Sequence, residues 1–265
     1  MARIIAIANQ KGGVGKTTTC VNLAASLAAT KRRVLMIDLD PQGNATMGSG
    51  IDKGEIERGS YDVLVGNCAI GDEVVLSADG SYSVLPANQE LAAAEVELLG
   101  RERREFHLRD AIGEYAKNFD YVLIDCPPAI NMLTVNALIA ADRVLIPMQC
   151  EYYALEGLSA LVSTIEQIRE AANPGLHIEG ILRTMYDPRN NLAVDVSAQL
   201  TAHFGDLLFR TVIPRNVRLA EAPSFGKPAL LHDKESRGTL AYLALAGEML
   251  RRDDPSAAPR GEDAE

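Results

Sequence analysis

Residues Arg3-Ile4-Ile5-Ala6-Ile7-Ala8-Asn9 lead through Gln10 into Lys11-Gly12-Gly13-Val14-Gly15-Lys16-Thr17-Thr18, and a helical pattern starts near Thr17. An apolar run, a glycine-rich loop and a helix in that order make a phosphate-binding loop. Glycine has no Cβ, so Gly12, Gly13 and Gly15 let successive backbone N–H groups turn inward toward phosphate oxygens. The helix behind them adds the positive end of its dipole. In this arrangement Lys16 offers a point charge to the outer phosphates of a nucleotide and Thr17 a hydroxyl to Mg²⁺, with Val14 and Thr18 completing the cradle.

One position departs from the common pattern. The spacing G-x-x-x-x-G-K-[ST] asks for glycine where Gln10 stands, and Lys11 brings a second lysine into the loop. Lys11 is either a solvated loop charge or a group that reaches the nucleotide of a neighbouring subunit, as an arginine finger does in trans.

Outward from the loop, apolar and β-branched runs alternate with helical patterns along the chain. Strands are expected at 33–38, 82–85, 121–125, 143–147, 178–182 and 208–213 besides the first. Several are continuous apolar runs, as parallel strands covered on both faces require. Between them lie patterns such as Leu155, Leu158, Leu161, Val162, Ile165 and Ile168, at helical spacing. The fold class that follows is α/β, a doubly wound, mainly parallel sheet with helices on both faces, with ligands at the carboxyl ends of its strands. One domain is expected over residues 1–252. From Asp253 to Glu265 the chain is polar and without periodicity, so a disordered tail is expected there.

Two further strand ends carry carboxylates. Asp125 closes the run Tyr121 to Ile124 and precedes Cys126-Pro127-Pro128. It is placed to bind Mg²⁺ directly or through water. The second strand ends Asp38-Leu39-Asp40-Pro41-Gln42-Gly43-Asn44, where alternation along an extended chain puts Asp38 and Asp40 on one side. Hydrolysis of a γ-phosphate is mainly positioning of water and neutralisation of charge. Asp40 is therefore the candidate for orienting the attacking water, and Asp38 for supporting Mg²⁺ or its waters. Later in the chain, Pro214 and Asn216 follow a strand, and an amide that donates and accepts at once suits an adenine edge.

Composition narrows the class. With 265 residues the chain can bury a full core without disulfides or metals, and its four cysteines form no C-x-x-C pair. Buried, reduced thiols in a cytoplasmic protein are the expectation, with neither export signal nor membrane span. A net charge of −10 argues against a protein coated in nucleic-acid-binding surface, yet residues 183–237 carry eight basic side chains against six acidic.

Beyond the loop, the segments Asp40-Pro41-Gln42-Gly43-Asn44, Asp125-Cys126-Pro127-Pro128, Thr184-Met185-Tyr186-Asp187 and Val212 to Ser224 resemble the deviant Walker ATPases, and in particular the ParA/Soj chromosome and plasmid partition proteins. The resemblance covers residues 1–250. It implies an ATPase using ATP and Mg²⁺, with Lys11 acting across a nucleotide-sandwich homodimer and Pro214 and Asn216 at the base. It also implies non-specific double-stranded DNA binding through arginines matching Arg189 and Arg218, a ParB-like centromere-binding partner that stimulates hydrolysis, and a nucleoid-associated location. With a first strand expected to begin at Arg3, no N-terminal operator-binding domain, and so no sequence-specific DNA recognition, is expected. The other reading is a MinD-like membrane-surface positioning ATPase. Such a protein needs a basic amphipathic C-terminal helix, whereas this chain ends Gly-Glu-Asp-Ala-Glu.

Overall fold

A computed structural model describes residues 2–253. The tail expected over 253–265 lies outside them except for Asp253, which closes the last helix. Eight strands, β1 (Arg3–Ile7), β2 (Val34–Asp38), β3 (Val75–Leu76), β4 (Ser83–Leu85), β5 (Tyr121–Asp125), β6 (Arg143–Gln149), β7 (His177–Tyr186) and β8 (Leu208–Pro214), form one sheet in the order β3-β4-β2-β5-β1-β6-β7-β8. All neighbours pair in parallel except β3 with β4. Each strand expected from sequence forms. The additional strand β3 is two exposed residues at the sheet edge, too short to leave a periodic signal.

The helices are α1 (Lys16–Ala29), α2 (Asn44–Gly48), α3 (Ser60–Leu64), α4 (Ile70–Glu73), α5 (Leu91–Leu99) and α6 (His107–Ile112) in the first half. The second half holds α7 (Met132–Ala140), α8 (Ala154–Ala171), α9 (Asn191–Phe204), α10 (Val217–Glu221), α11 (Ala229–His232) and α12 (Arg237–Asp253). The continuous apolar runs have a simple cause: alternate side chains feed two cores. Leu35 and Ile37 of β2 and Val122 and Ile124 of β5 join a cluster with α7 and α8. Met36 and Leu123 point the other way, into a cluster with Leu23 and Leu27 of α1 and Tyr242 and Leu245 of α12. The sheet is thus covered on both faces.

This layering fixes where chemistry can occur. In register, Ile7 pairs with Asp125 and Asp125 with Asp38, so the phosphate loop and two carboxylates leave the sheet side by side at its carboxyl edge. At the far side of that edge, Tyr186 pairs with Pro214. The segments after β7 and β8, which carry Arg189 in a loop and Arg218 in the first turn of α10, therefore emerge as neighbours.

Three cysteines are buried, and Cys68 is half-buried rather than buried as expected; all four are free thiols. No helix among the described residues is long and apolar enough to cross a membrane.

Candidate nucleotide site

The loop between β1 and α1 curls through positive φ at Gly13 (74°) and Gly15 (86°), a region that costs glycine little and other residues much. Gly15 caps α1 with no side-chain bond to the first turn, which leaves N–H groups of the helix free for a ligand. Two contacts brace the loop from outside. The Thr184 hydroxyl donates to the carbonyl of Val14 at 2.8 Å, and the Asn9 amide donates to that of Pro147 at 2.8 Å.

The two lysines have different fates. Lys16 is 7 % exposed and folds back to donate to the Lys11 carbonyl at 3.2 Å. Burial lowers its pKa, and the nearby Asp125, Cys126 and Asp40 oppose that shift. Lys11 is half-exposed and ion-paired with Glu151, just past β6. Lys16 turns inward across its own loop while Lys11 faces outward.

Asp38 and Asp125 are both fully buried. Burial is the main cause that raises Asp125 well above the usual carboxylate range, and the adjacent Asp38 adds to it. Burial likewise raises Asp38 to about 6, against hydrogen bonds from Thr46 and Asp40. Asp125 Oδ2 accepts from the Thr17 hydroxyl at 2.8 Å, while its Oδ1 is buried without a hydrogen-bond partner. A buried carboxylate oxygen left bare beside a threonine hydroxyl fits a Mg²⁺ ion, which takes one or two protein oxygens and completes its shell with phosphate and water. No group of three or more His, Cys, Asp or Glu side chains able to hold a metal ion occurs among the described residues.

Asp38 differs from its neighbour. Its Oδ1 accepts from the Asp40 N–H at 3.1 Å, and its Oδ2 from both the N–H and the hydroxyl of Thr46, at 2.8 and 2.7 Å. Both oxygens are engaged by the chain, so any support it gives Mg²⁺ is indirect. Asp40 lies nearby, its Oδ1 accepting from Gln42 N–H at 3.0 Å.

Pro214 and Asn216 are less simply related to the site. The Asn216 side-chain oxygen caps α10 by accepting from the Arg218 N–H at 2.9 Å, which leaves it one further lone pair and the amide N–H groups for a ligand. A cavity of about 420 Å³ against the first turns of α1 is lined by Thr17, Thr18, Asn44 and Lys227 among others, and neither Pro214 nor Asn216 lines it. The two arginines are exposed and already paired. Arg189 grips Asp187 through two bonds of 2.9 and 2.8 Å, holding that carboxyl at about 2. Arg218 pairs with Glu221 at 2.8 Å and Asp233 at 3.3 Å. Sequence reasoning assigns no role to Thr46, Glu151 or, beyond its place in a motif, Thr184.

A phosphate loop at the end of a central parallel strand, with an aspartate closing the next strand, defines a P-loop nucleoside triphosphatase. Residues 2–178 match the family model of the AAA domain. The chain is 51 % identical to the chromosome partitioning protein ParA of Myxococcus xanthus, over 98 % of this chain and 92 % of the relative. It is also 51 % identical to the sporulation initiation inhibitor protein Soj of Bacillus subtilis, over 94 % and 98 %. Among solved structures, cobyrinic acid a,c-diamide synthase from Mycobacterium smegmatis with bound ATP analog and magnesium matches with a TM-score of 0.85 and 36 % identity, over 97 % of both chains. The cell division ATPase MinD of Pyrococcus furiosus matches at 0.79 and 26 %, over 95 % of this chain and 100 % of that one. The chain belongs to the ParA/Soj family of chromosome-partitioning ATPases.

Proposed function

We propose that this protein is a cytoplasmic, Mg²⁺-dependent ATPase that ATP assembles into a dimer, which binds nucleoid DNA without sequence preference and releases it on hydrolysis. The observation that carries the reading is the division of labour between two lysines of one loop, Lys16 buried against the carboxylates and Lys11 facing outward on Glu151. A cation that faces outward is available to a second copy.

In this reading the N–H groups of Gly12 to Thr18 and the ammonium of Lys16 hold the phosphates, with Pro214 and Asn216 at the base. Mg²⁺, held by Thr17 and Asp125 with Asp38 behind them, would neutralise charge on the β- and γ-phosphates. Asp40 orients the water whose oxygen bonds to the γ-phosphorus as the bond to ADP breaks, giving ADP and inorganic phosphate. Arg189 and Arg218 exchange their exposed carboxylate partners for DNA phosphates. Such contacts are weak singly and steeply salt-dependent in number. A ParB-like, centromere-bound partner that speeds hydrolysis would then give the cycle its direction.

The test is DNA retention measured with ATP, with ADP, and with Lys16→Ala and Asp40→Ala. Lys16→Ala loses nucleotide and DNA together. Asp40→Ala binds ATP, persists as a dimer and stays on DNA. Hydrolysis by Asp40→Ala at the parent rate would remove Asp40 from its role, and retention independent of nucleotide would sink the switch. Arg218→Ala should lower the salt slope of retention by about one for each DNA phosphate that the arginine neutralises in the parent.

A further inference from the structure

Thr46 sits inside the short helix α2 and is fully buried. Its N–H and its hydroxyl both donate to Asp38 Oδ2, and the same hydroxyl oxygen accepts from the N–H of Ala87 at 2.9 Å. Ala87 lies just beyond β4, the strand that pairs with β2. A hydroxyl has one proton to give and lone pairs to receive, so Thr46 is engaged both as donor and as acceptor. On the opposite side of the carboxylate, Asp38 Oδ1 accepts from the N–H of Asp40. Ser60 closes the arrangement by donating to the main-chain carbonyl of Asp38 at 2.5 Å. An unbroken chain of hydrogen bonds thus runs from Ala87 through Thr46 and Asp38 to the backbone that carries the Asp40 carboxylate.

We infer that Thr46 is a positioning residue for hydrolysis: it fixes the Asp38 carboxylate between two strand ends, and Asp38 in turn fixes the backbone of Asp40 and the direction in which its side chain meets the attacking water. The inference rests on the reading of Asp40 as the group that orients that water. A residue that served α2 alone would bond within the helix. Thr46 instead sends both its donors to a strand end and takes its acceptor bond from a second one. Buried polar networks of this kind hold their members rigidly when every member is satisfied. In phosphoryl transfer, rate depends on small displacements, whereas phosphate binding rests on the loop and Lys16, which Thr46 does not touch.

The experiment compares Thr46→Val, which keeps the shape and removes the hydroxyl, with Thr46→Ser, which keeps the hydroxyl, by steady-state ATPase assay and by titration of a fluorescent ATP analogue. Thr46→Val should lower kcat by about tenfold to a hundredfold, with nucleotide affinity within about twofold of the parent. Thr46→Ser should restore kcat to within about threefold, because the hydrogen-bond chain, rather than the methyl group, sets the geometry. If Thr46→Val hydrolyses at the parent rate, or if Thr46→Ser falls as far as Thr46→Val, the inference is overturned. Equal loss of affinity and rate in both variants, with a lowered melting temperature, also overturns it in favour of a purely structural role. Asp40→Ala run alongside separates the two readings. An inactive Asp40→Ala with an active Thr46→Val defeats Thr46 alone, while an active Asp40→Ala defeats the role of Asp40.

Discussion

The two ends of one sheet both bury charge, in opposite conditions. At the amino end, Glu179, whose side chain is 2 % exposed, has Arg143 at 3.2 Å and Arg3 at 4.0 Å, and Arg3 also pairs with Asp253. Glu248 of α12 takes the N–H groups of Arg210 and Thr211, both at 2.9 Å, and Arg252 at 3.0 Å. Opposite charges meet there within the chain. At the carboxyl end, Asp38 and Asp125 stand in register, and no Lys, Arg or His among the described residues lies within ion-pair distance of either. The closed end ties helix and strands together, while the open end is unfinished until something positive arrives. Buried charge by itself therefore does not mark a functional site; at Asp125 the mark is a buried oxygen left with neither ion pair nor hydrogen bond.

Opening the closed end should cost the most. Glu179→Ala leaves Arg143 alone and Arg3 with only Asp253; because both guanidiniums reach solvent, the cost stays at the low end for a buried pair, about 3 kcal/mol. For a domain of this size that lowers the melting temperature by on the order of 8 °C. ATP affinity, measured under conditions where the variant is folded, should not change. Weaker nucleotide binding by this variant would show that the two ends are not independent.

At the open end the expected change is smaller and appears only with ligand. Mg²⁺-ATP at a hundred times its Kd should stabilise the parent by about 2.7 kcal/mol. Asp125→Asn should lose most of that gain while remaining at least as stable as the parent without ligand, since it replaces a buried carboxyl that has no ion pair within the chain. The same end should respond to pH. Burial raises Asp38 to about 6 in the folded chain, above the unfolded value of about 3.9. The folded state then binds more protons than the unfolded state between these values, so this carboxyl's stabilisation is full below about pH 4 and is lost as pH rises toward about 6. The slope is at most about 1.4 kcal/mol per pH unit. The stability difference between parent and Asp38→Asn, followed by urea unfolding from about pH 4 to about pH 7 without nucleotide, isolates this contribution. A difference that does not vary with pH would mean that Asp38 titrates normally.

Much of the open end is legible in the sequence because its signals are local. The run before Lys11, the glycines and the aspartates at the ends of β2 and β5 each sit where one strand stops, and fixed spacing carries the information. Alternation of Leu35 and Ile37 against Met36 explains why continuous apolar runs mean a sheet covered twice. What is not legible joins parts distant in the chain. The bond from Thr184 to Val14 spans 170 positions and the Lys11–Glu151 pair 140, and neither leaves a pattern around either residue. Thr46 lies just past Asn44, where the motif that begins at Asp40 ends, yet its importance depends on Ala87, 41 positions further on. The capping bond that occupies the Asn216 carbonyl is a matter of backbone geometry after β8, which residue type alone does not fix.

The smallest effect concerns the lysine that faces away from both carboxylates. Lys11 and Glu151 have side chains 50 % and 48 % exposed, and an ion pair so open to solvent contributes well under about 1 kcal/mol. In a dimer built on ATP, Lys11 must leave Glu151 to reach the other copy's nucleotide, so the pair weakly opposes assembly. Glu151→Gln removes that opposition and should tighten the ATP-dependent dimer by about twofold, the equivalent of about 0.4 kcal/mol. Lys11→Ala should abolish the dimer while the monomer keeps its nucleotide, since in the proposed cycle Lys16, turned into its own loop, holds the phosphates within one chain. Sedimentation of both variants with ATP over a range of protein concentrations reads the two outcomes together. If Glu151→Gln weakens the dimer instead, Glu151 supports Lys11 in the assembled state, and the pair holds the lysine ready rather than holding it back.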